Sequence, residues 1–188
     1  MFAWTSEVVT TCRTCNQTRK TPQNFSSLTL NEKDYTFNMI GHGNFFAVVP
    51  RQSFACRCYS PSSYSHRSEI VFATFPDILV ISILPMTEKD DPESKLLQKI
   101  SLKGSGKLLF INENIERKLD KMTQVYEYQA GILTKFREGD GEHSIAVIQC
   151  GGSKDTYYAF GDKTVLKTNL CDVAYHPRLL FYRKYPYK

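Results

Sequence analysis

The sequence predicts an α+β domain in which β structure dominates, as one unit of 188 residues. Short runs rich in Val, Ile, Thr, Tyr and Phe recur along the whole chain, each bounded by Gly, Pro, Ser, Asp or Asn. Aromatic residues make up 13% of the chain, with Tyr and Phe far outnumbering Trp, and such side chains suit a pleated, half-buried surface. Helical spacing of apolar residues appears at one place only.

From the N-terminus, strands are expected in SEVVTTC (6–12), NFSSLTL (24–30), NFFAVVP (44–50), EIVFATF (69–75) and DILVISIL (77–84). Further strands are expected in GKLLFIN (106–112), VYEYQAGILTKF (125–136), HSIAVIQ (143–149), TYYAF (156–160) and RLLFYRKY (178–185). TYYAFGDKTVLK forms a hairpin with Gly161 and Asp162 at its turn. The expected helix is Glu113 to Gln124, where Ile115, Leu119 and Met122 share a face and Asn112 offers an N-cap. TEKDDPESKLLQKI (87–100), charged around Pro92, is expected to be a surface loop with at most a short helix. No internal repeat and no linker divides the chain.

The chain is 41% hydrophobic and 23% charged, a globular rather than a disordered composition. Its formal charge of +5 is mild and dispersed, apart from RTCNQTRK near the start and YRKYPYK at the end. The latter is expected to be a terminal strand with a solvated Lys/Arg edge. Phosphate binding needs concentrated Lys and Arg, so nucleic acid is not an expected partner. MFAWTSEVV lacks the basic start and apolar run of a signal peptide, and the apolar run in FPDILVISILP is too short to span a membrane. A soluble cytoplasmic or nuclear protein is expected. Structural disulfides are disfavoured there, and the sequons at Asn16 and Asn24 are chance matches.

The six cysteines include two close pairs, CRTC (Cys12, Cys15) and CRC (Cys56, Cys58). Four thiolates in two pairs suit a tetrahedral zinc ion. The competing reading is two unrelated pairs of reduced thiols, because C-x-C is tighter than the usual knuckle. His66, in a Ser-rich loop after the second pair, becomes a ligand if CRC supplies only one thiolate. Cys150 and Cys171 fall in strands and behave as small core hydrophobes. His42, in a glycine turn, is a solvated loop residue.

GDGEHSIAVIQ poses a separate question. A charged, glycine-rich turn (Gly139 to Gly141) delivers His143 to the first position of an apolar strand. Either His143 is an ordinary strand-edge residue, or the turn presents its imidazole.

Taken in order, CRTCNQTRK, NFSSLTL, CRC, FPDILVISIL, YEYQAGILTKF, GEHSIAVIQ, YYAFGDKTV and LLFYRK resemble the C-terminal two-thirds of a ubiquitin-specific protease catalytic domain. The corresponding family pattern runs C-x-x-C, F-x-x-L-x-L, C-x-x-C, L-P-x-I-L-x-I-x-L-K-R-F, Y-x-L-x-A-V-I-x-H, G-H-Y-x-A-Y, W-Y-x-F-N-D-x-x-V and Y-x-L-F-Y. The resemblance implies a papain-like fold made of fingers (about 8–72, carrying a zinc ribbon) and a palm sheet (about 73–188) that grips ubiquitin. It also implies that His143 is the general base that takes a proton from a nucleophilic cysteine.

The departures are as informative. Ser144 replaces the usual aromatic after the histidine. Gly161 stands where the family places the Asp or Asn that orients the imidazole, and Asp162 follows one position later, either as a substitute orienter or as half of an ordinary turn dipeptide. SILPM replaces the basic end of L-K-R-F. Nothing like the family's N-x-G-N-T-C box precedes Cys12, and the helical thumb that would carry it is missing from the chain. A thiol protease without its thiol forms no acyl-enzyme, so this chain is expected to be inactive alone. It is either one part of a deubiquitinase or a non-catalytic relative that binds ubiquitin or a ubiquitin-like modifier, or that scaffolds a complex.

Overall fold

The structure is a computed structural model that describes residues 3–31, 44–46, 54, 56, 66–72, 74–84, 99–103, 107–110, 123–137, 141–150, 156–170, 173 and 176–185. The described elements are β1 (Trp4–Cys12), β2 (Thr18–Phe25), β3 (Leu28–Asn31), β4 (Asn44–Phe46), β5 (His66–Val71), β6 (Ile78–Leu84) and β7 (Lys99–Lys103). They continue with β8 (Lys107–Phe110), β9 (Thr123–Arg137), β10 (Gly141–Gln149), β11 (Tyr157–Phe160), β12 (Val165–Thr168) and β13 (His176–Lys184).

A three-stranded sheet has the order β2-β1-β5. Along β1 burial alternates strictly, with Trp4, Ser6, Val8, Thr10 and Cys12 turned inward, the period-two pattern of a strand with one covered face. Pro22, which cannot donate to a ladder, sits on the edge strand β2 opposite Glu7. On the other side of β1, Cys12 lies directly opposite His66.

The larger sheet has ten strands, with a main path β12-β11-β10-β9-β13-β6-β3 and a branch in which β7 joins β9 to β8 and β4. β3 runs parallel to β6 and the other pairs are antiparallel. Although residues 28–31 and 44–46 fall within the stretch assigned to the fingers, β3 and β4 pair in this larger sheet.

Its core is built on tyrosine. Tyr126, Tyr128 and Tyr182 are fully buried, and Tyr128 meets Tyr182 edge-on with ring centroids 5.7 Å apart. A buried phenol needs a partner for its hydroxyl. The Tyr128 hydroxyl donates to the Val147 carbonyl at 2.9 Å, and that of Tyr126 to the Pro76 carbonyl at 2.7 Å. Burial, with the Asp77 carboxylate adding to it, holds the Tyr126 phenol well above its ordinary range. Gly131 makes this packing possible, since a Cβ there would lie 2.8 Å from both Leu180 Cδ2 and the Tyr128 hydroxyl.

Several expectations change. The helix expected at 113–124 falls outside the described residues, except Thr123 and Gln124, which begin β9. Lys99 and Ile100, expected in a surface loop, open β7, while residues 87–98 lie outside the described set. NFSSLTL is split between the end of β2 and β3, and TRKTPQNF, read only as a basic stretch, is β2. The basic terminal strand has no free edge, because β13 lies between β9 and β6. Its Pro177 is accommodated by a register shift between Pro177 and Leu179, as a proline inside a sheet requires. Cys150 is half-buried just past β10, and Cys171 and His42 lie outside the described residues.

Candidate functional site

Among the described residues, two groups of chemically active side chains stand apart from the hydrophobic core. The first closes the far end of the small sheet. After Cys12 the chain turns back over 13–17 into β2, with Asn16 in the left-handed region at φ 56°, a conformation asparagine tolerates. The turn is tied by Asn16 N–H to the Cys12 carbonyl and by Cys12 N–H to the Gln17 carbonyl, both 2.9 Å. It aims the amides of Cys15 and Thr14 at the Cys12 sulfur. Those two amides, with smaller help from the Cys56 and Cys15 thiols and against the effect of burial, lower the Cys12 pKa from 9.0 to about 6. The thiolate is therefore the favoured form near neutrality, and it is the form that binds metal.

Cys56 Sγ lies 3.6 Å from Cys12 Sγ. The His66 ring, buried and edge-on to Phe54 at 4.9 Å, completes a group whose ligand atoms all lie within 4.8 Å of one another. Two thiolates on a tetrahedral zinc at about 2.3 Å each would be roughly 3.8 Å apart, so the observed spacing fits that ion. Of the residues expected to hold it, Cys12 and Cys56 come together. Cys15 is exposed beside Cys12, and Cys58 lies outside the described residues. Sequence reasoning admitted His66 only as a replacement for a CRC thiol. The signal that places it is strand register, which sets it opposite Cys12.

The second group sits at the β10–β11 end of the large sheet. β10 begins two residues earlier than expected, so His143 is its third residue, paired with Lys135 of β9. Its side chain shares a face with Ile145 and Val147, which are buried, yet is 31% exposed itself. His143 Nδ1 lies 3.7 Å from a carboxylate oxygen of Asp162, whose side chain is 81% exposed. On the other side of the ring, a Cβ added at Gly161 would be 3.9 Å from Nε2. Gly161 thus leaves one imidazole nitrogen facing bare backbone, and Asp162 faces the other. Ser144, on the opposite face of β10, shares a hydroxyl hydrogen bond with Thr134 at 3.2 Å.

No family model and no curated protein sequence matches the chain. Solved structures do. The chain is similar to Ubp8 in the SAGA Ubp8/Sgf11/Sus1/Sgf73 DUB module bound to ubiquitin aldehyde, with a TM-score of 0.64 and 17% identity over 100% of this chain and 42% of that one. It is also similar to the Neurospora crassa Pan2 catalytic unit, of protease and nuclease domains, with a TM-score of 0.64 and 12% identity over 98% of this chain and 34% of that one. The Saccharomyces cerevisiae PAN2 pseudoubiquitin-hydrolase matches with a TM-score of 0.61 and 12% identity, over 97% of this chain and 54% of that one. The chain thus shares its fold with part of a deubiquitinating module and with part of pseudoubiquitin hydrolases. The chain spans about half or less of the length of these neighbours.

Proposed function

We propose that this chain is the fingers-and-palm portion of a ubiquitin-specific-protease-like domain, which grips ubiquitin or a ubiquitin-like modifier and does not hydrolyse isopeptide bonds by itself. The observation that carries this reading is His143. Its imidazole is held at the end of the palm sheet, partly exposed, in a chain whose strands superpose on those of a deubiquitinating module. As base it would accept the proton of a thiol supplied from outside these residues. The chain holds no N-x-G-N-T-C box, so the acyl-enzyme has no sulfur on which to form.

A second reading, a wholly non-catalytic relative, is favoured by Gly161. With no side chain there, the exposed Asp162 is the one acid beside the imidazole among the described residues, and an imidazole of uncontrolled tautomer is a poor base. The pseudo-hydrolase neighbours have the same fold. On either reading, the fingers hold one structural zinc through Cys12, Cys56 and His66, whose ligand atoms lie within 4.8 Å of one another. Zinc there serves folding, not chemistry.

The test uses the chain as it is. Titration with unlabelled ubiquitin should shift amide resonances of β9, β10 and β13, while ubiquitin-amidomethylcoumarin stays uncleaved and a ubiquitin electrophile probe leaves every cysteine unlabelled. Absence of any ubiquitin-dependent shift would remove the binding function. Probe labelling that His143→Ala abolishes would show that the chain carries its own nucleophile.

A further inference from the structure

The free edge of the large sheet ends in an unusual strand. β12 closes the main path and pairs only with β11 among the described residues. Val165 and Leu166 are consecutive, so they point to opposite faces, and they are 58% and 63% exposed. Edge strands are commonly blunted by lysine, and at β12 Lys163 and Lys167 flank the apolar pair rather than replace it. Here an apolar pair stands exposed at an open edge, where an added strand would bring side chains against both of its faces.

The backbone is arranged to match. Gly161 N–H donates to the Thr164 carbonyl at 2.9 Å, making 161/164 a hydrogen-bonded pair of the hairpin. Antiparallel ladders alternate bonded and non-bonded pairs, so with the register Phe160↔Val165, Ala159↔Leu166 and Tyr158↔Lys167 it is Leu166 that bonds to β11. The N–H and C=O groups of Val165 and Lys167 point outward. Each face also offers a row to extend. Val165 continues Ile132, Ala146 and Phe160 across the sheet, and Leu166 continues Gly131, Val147 and Ala159.

We propose that the outer edge of β12 is a docking site for an extended segment of a partner protein, apolar at its centre and acidic at both ends, which adds as an antiparallel strand. Main-chain bonds to Val165 and Lys167 would supply affinity, and the flanking side chains would supply choice. Charge selects this occupant over a second copy of the chain. The strand centre is flanked by Lys163 and Lys167, both exposed. A symmetric β12–β12 pairing centred on Val165 sets Lys163 opposite Lys167 twice. One centred on Leu166 sets Val165 opposite Lys167 twice. An acid at each end of a foreign strand meets both lysines and leaves the apolar pair facing apolar partners.

The probe is the capped peptide acetyl-Ser-Glu-Leu-Val-Thr-Glu-Ser-amide, titrated into the isotope-labelled full chain and read by amide resonances. Shifts confined to 163–168 and the flanking part of β11 are expected. Val165→Pro removes an outward N–H and leaves the bonds to β11 intact, and should abolish the shifts. Reversing both lysines, K163E with K167E, should weaken binding by about tenfold or more, as loss of two exposed ion pairs implies, and a peptide with lysines in place of its glutamates should recover it. Absence of shifts at 163–168 at millimolar peptide, or equal binding to both variants, would overturn the proposal. So would a dimer in sedimentation that Val165→Pro dissolves, since the edge would then belong to a second copy.

Discussion

Along β1 the covered side chains run Trp4, Ser6, Val8, Thr10 and Cys12, while the covered side chains of the large sheet include Tyr126, Tyr128, Leu133, Val147 and Leu180. The two sheets thus meet the same need, covering one face, with different materials. Where the small sheet approaches the large one, Trp4 stacks on Phe25 and Phe72 and joins the common core with Ile70. Farther out, apolar area gives way to hydroxyls, such as Thr10 bonded to Ser68 at 3.1 Å, and then to two thiols and an imidazole. A three-stranded sheet with so little apolar cover is marginal by burial alone. A metal ion at its far end would restore what packing does not provide, as small structural sites do elsewhere.

The largest expected effect breaks the large sheet. Leu180 is fully buried in β13, against Gly131, and Leu180→Ala should cost about 2–5 kcal/mol through lost contacts and the cavity left behind. The loss should be the same with and without a chelator, read by denaturant unfolding. A cost that depends on metal would mean the two sheets unfold as one unit.

Metal removal addresses the other side. With zinc at about 100 times its dissociation constant, binding stabilises the loaded state by roughly 2.7 kcal/mol. Chelation should therefore raise hydrogen exchange about 100-fold in β1, β2 and β5 and leave β9, β10 and β13 protected. His66→Ala should lose the zinc. In the metal-free chain the Cys12 thiolate contributes stability that is complete above the ordinary thiol value of 9.0 and gone once pH falls through about 6. The apo small sheet should thus loosen on acidification while the large sheet does not. Equal loosening of both sheets would refute the division.

Gly131 sharpens the comparison from within the large sheet. A methyl there meets Leu180 Cδ2 and the Tyr128 hydroxyl at 2.8 Å and the Leu179 carbonyl at 3.2 Å. Gly131→Ala should cost about 1–3 kcal/mol by overpacking, less than the cavity at Leu180. The Leu179 carbonyl is backbone and cannot swing aside, so full accommodation without loss of thermal stability would show that β9 and β13 can separate.

What could be read from the chain follows the same division. Strands with continuous apolar cores, DILVISIL and HSIAVIQ, were legible because burial on one or both faces writes itself into residue type. β2 and β7 were not, since TRKTPQNF and KISLK are short and rich in polar residues and take strand form by pairing with β1 and β9. Spacing singled out Cys12 and Cys56, whose Sγ atoms the fold brings to 3.6 Å. It undervalued His66, whose place beside Cys12 comes from the register between two strands far apart in sequence. The glycine turn before His143 was legible, and β10 begins inside it, at Gly141. That residue 161 carries no side chain was visible too, but the side of the ring that Asp162 faces was a matter of turn geometry alone.

Asp162 gives the smallest effect and the finest distinction. Its carboxylate is 3.7 Å from His143 Nδ1 but 81% exposed, and exposed ion pairs of this kind are worth less than about 1 kcal/mol. Asp162→Asn should therefore change unfolding free energy by under that amount and leave ubiquitin-induced amide shifts in place. An orienting acid would behave differently, because its removal frees the imidazole to change tautomer. The ¹⁵N shifts of the His143 ring separate these cases. Unchanged ring shifts in Asp162→Asn, together with altered ones in Gly161→Asp, would mean that the orienting position belongs to residue 161 and is vacant. Altered ring shifts in Asp162→Asn alone would give Asp162 the role that Gly161 cannot fill.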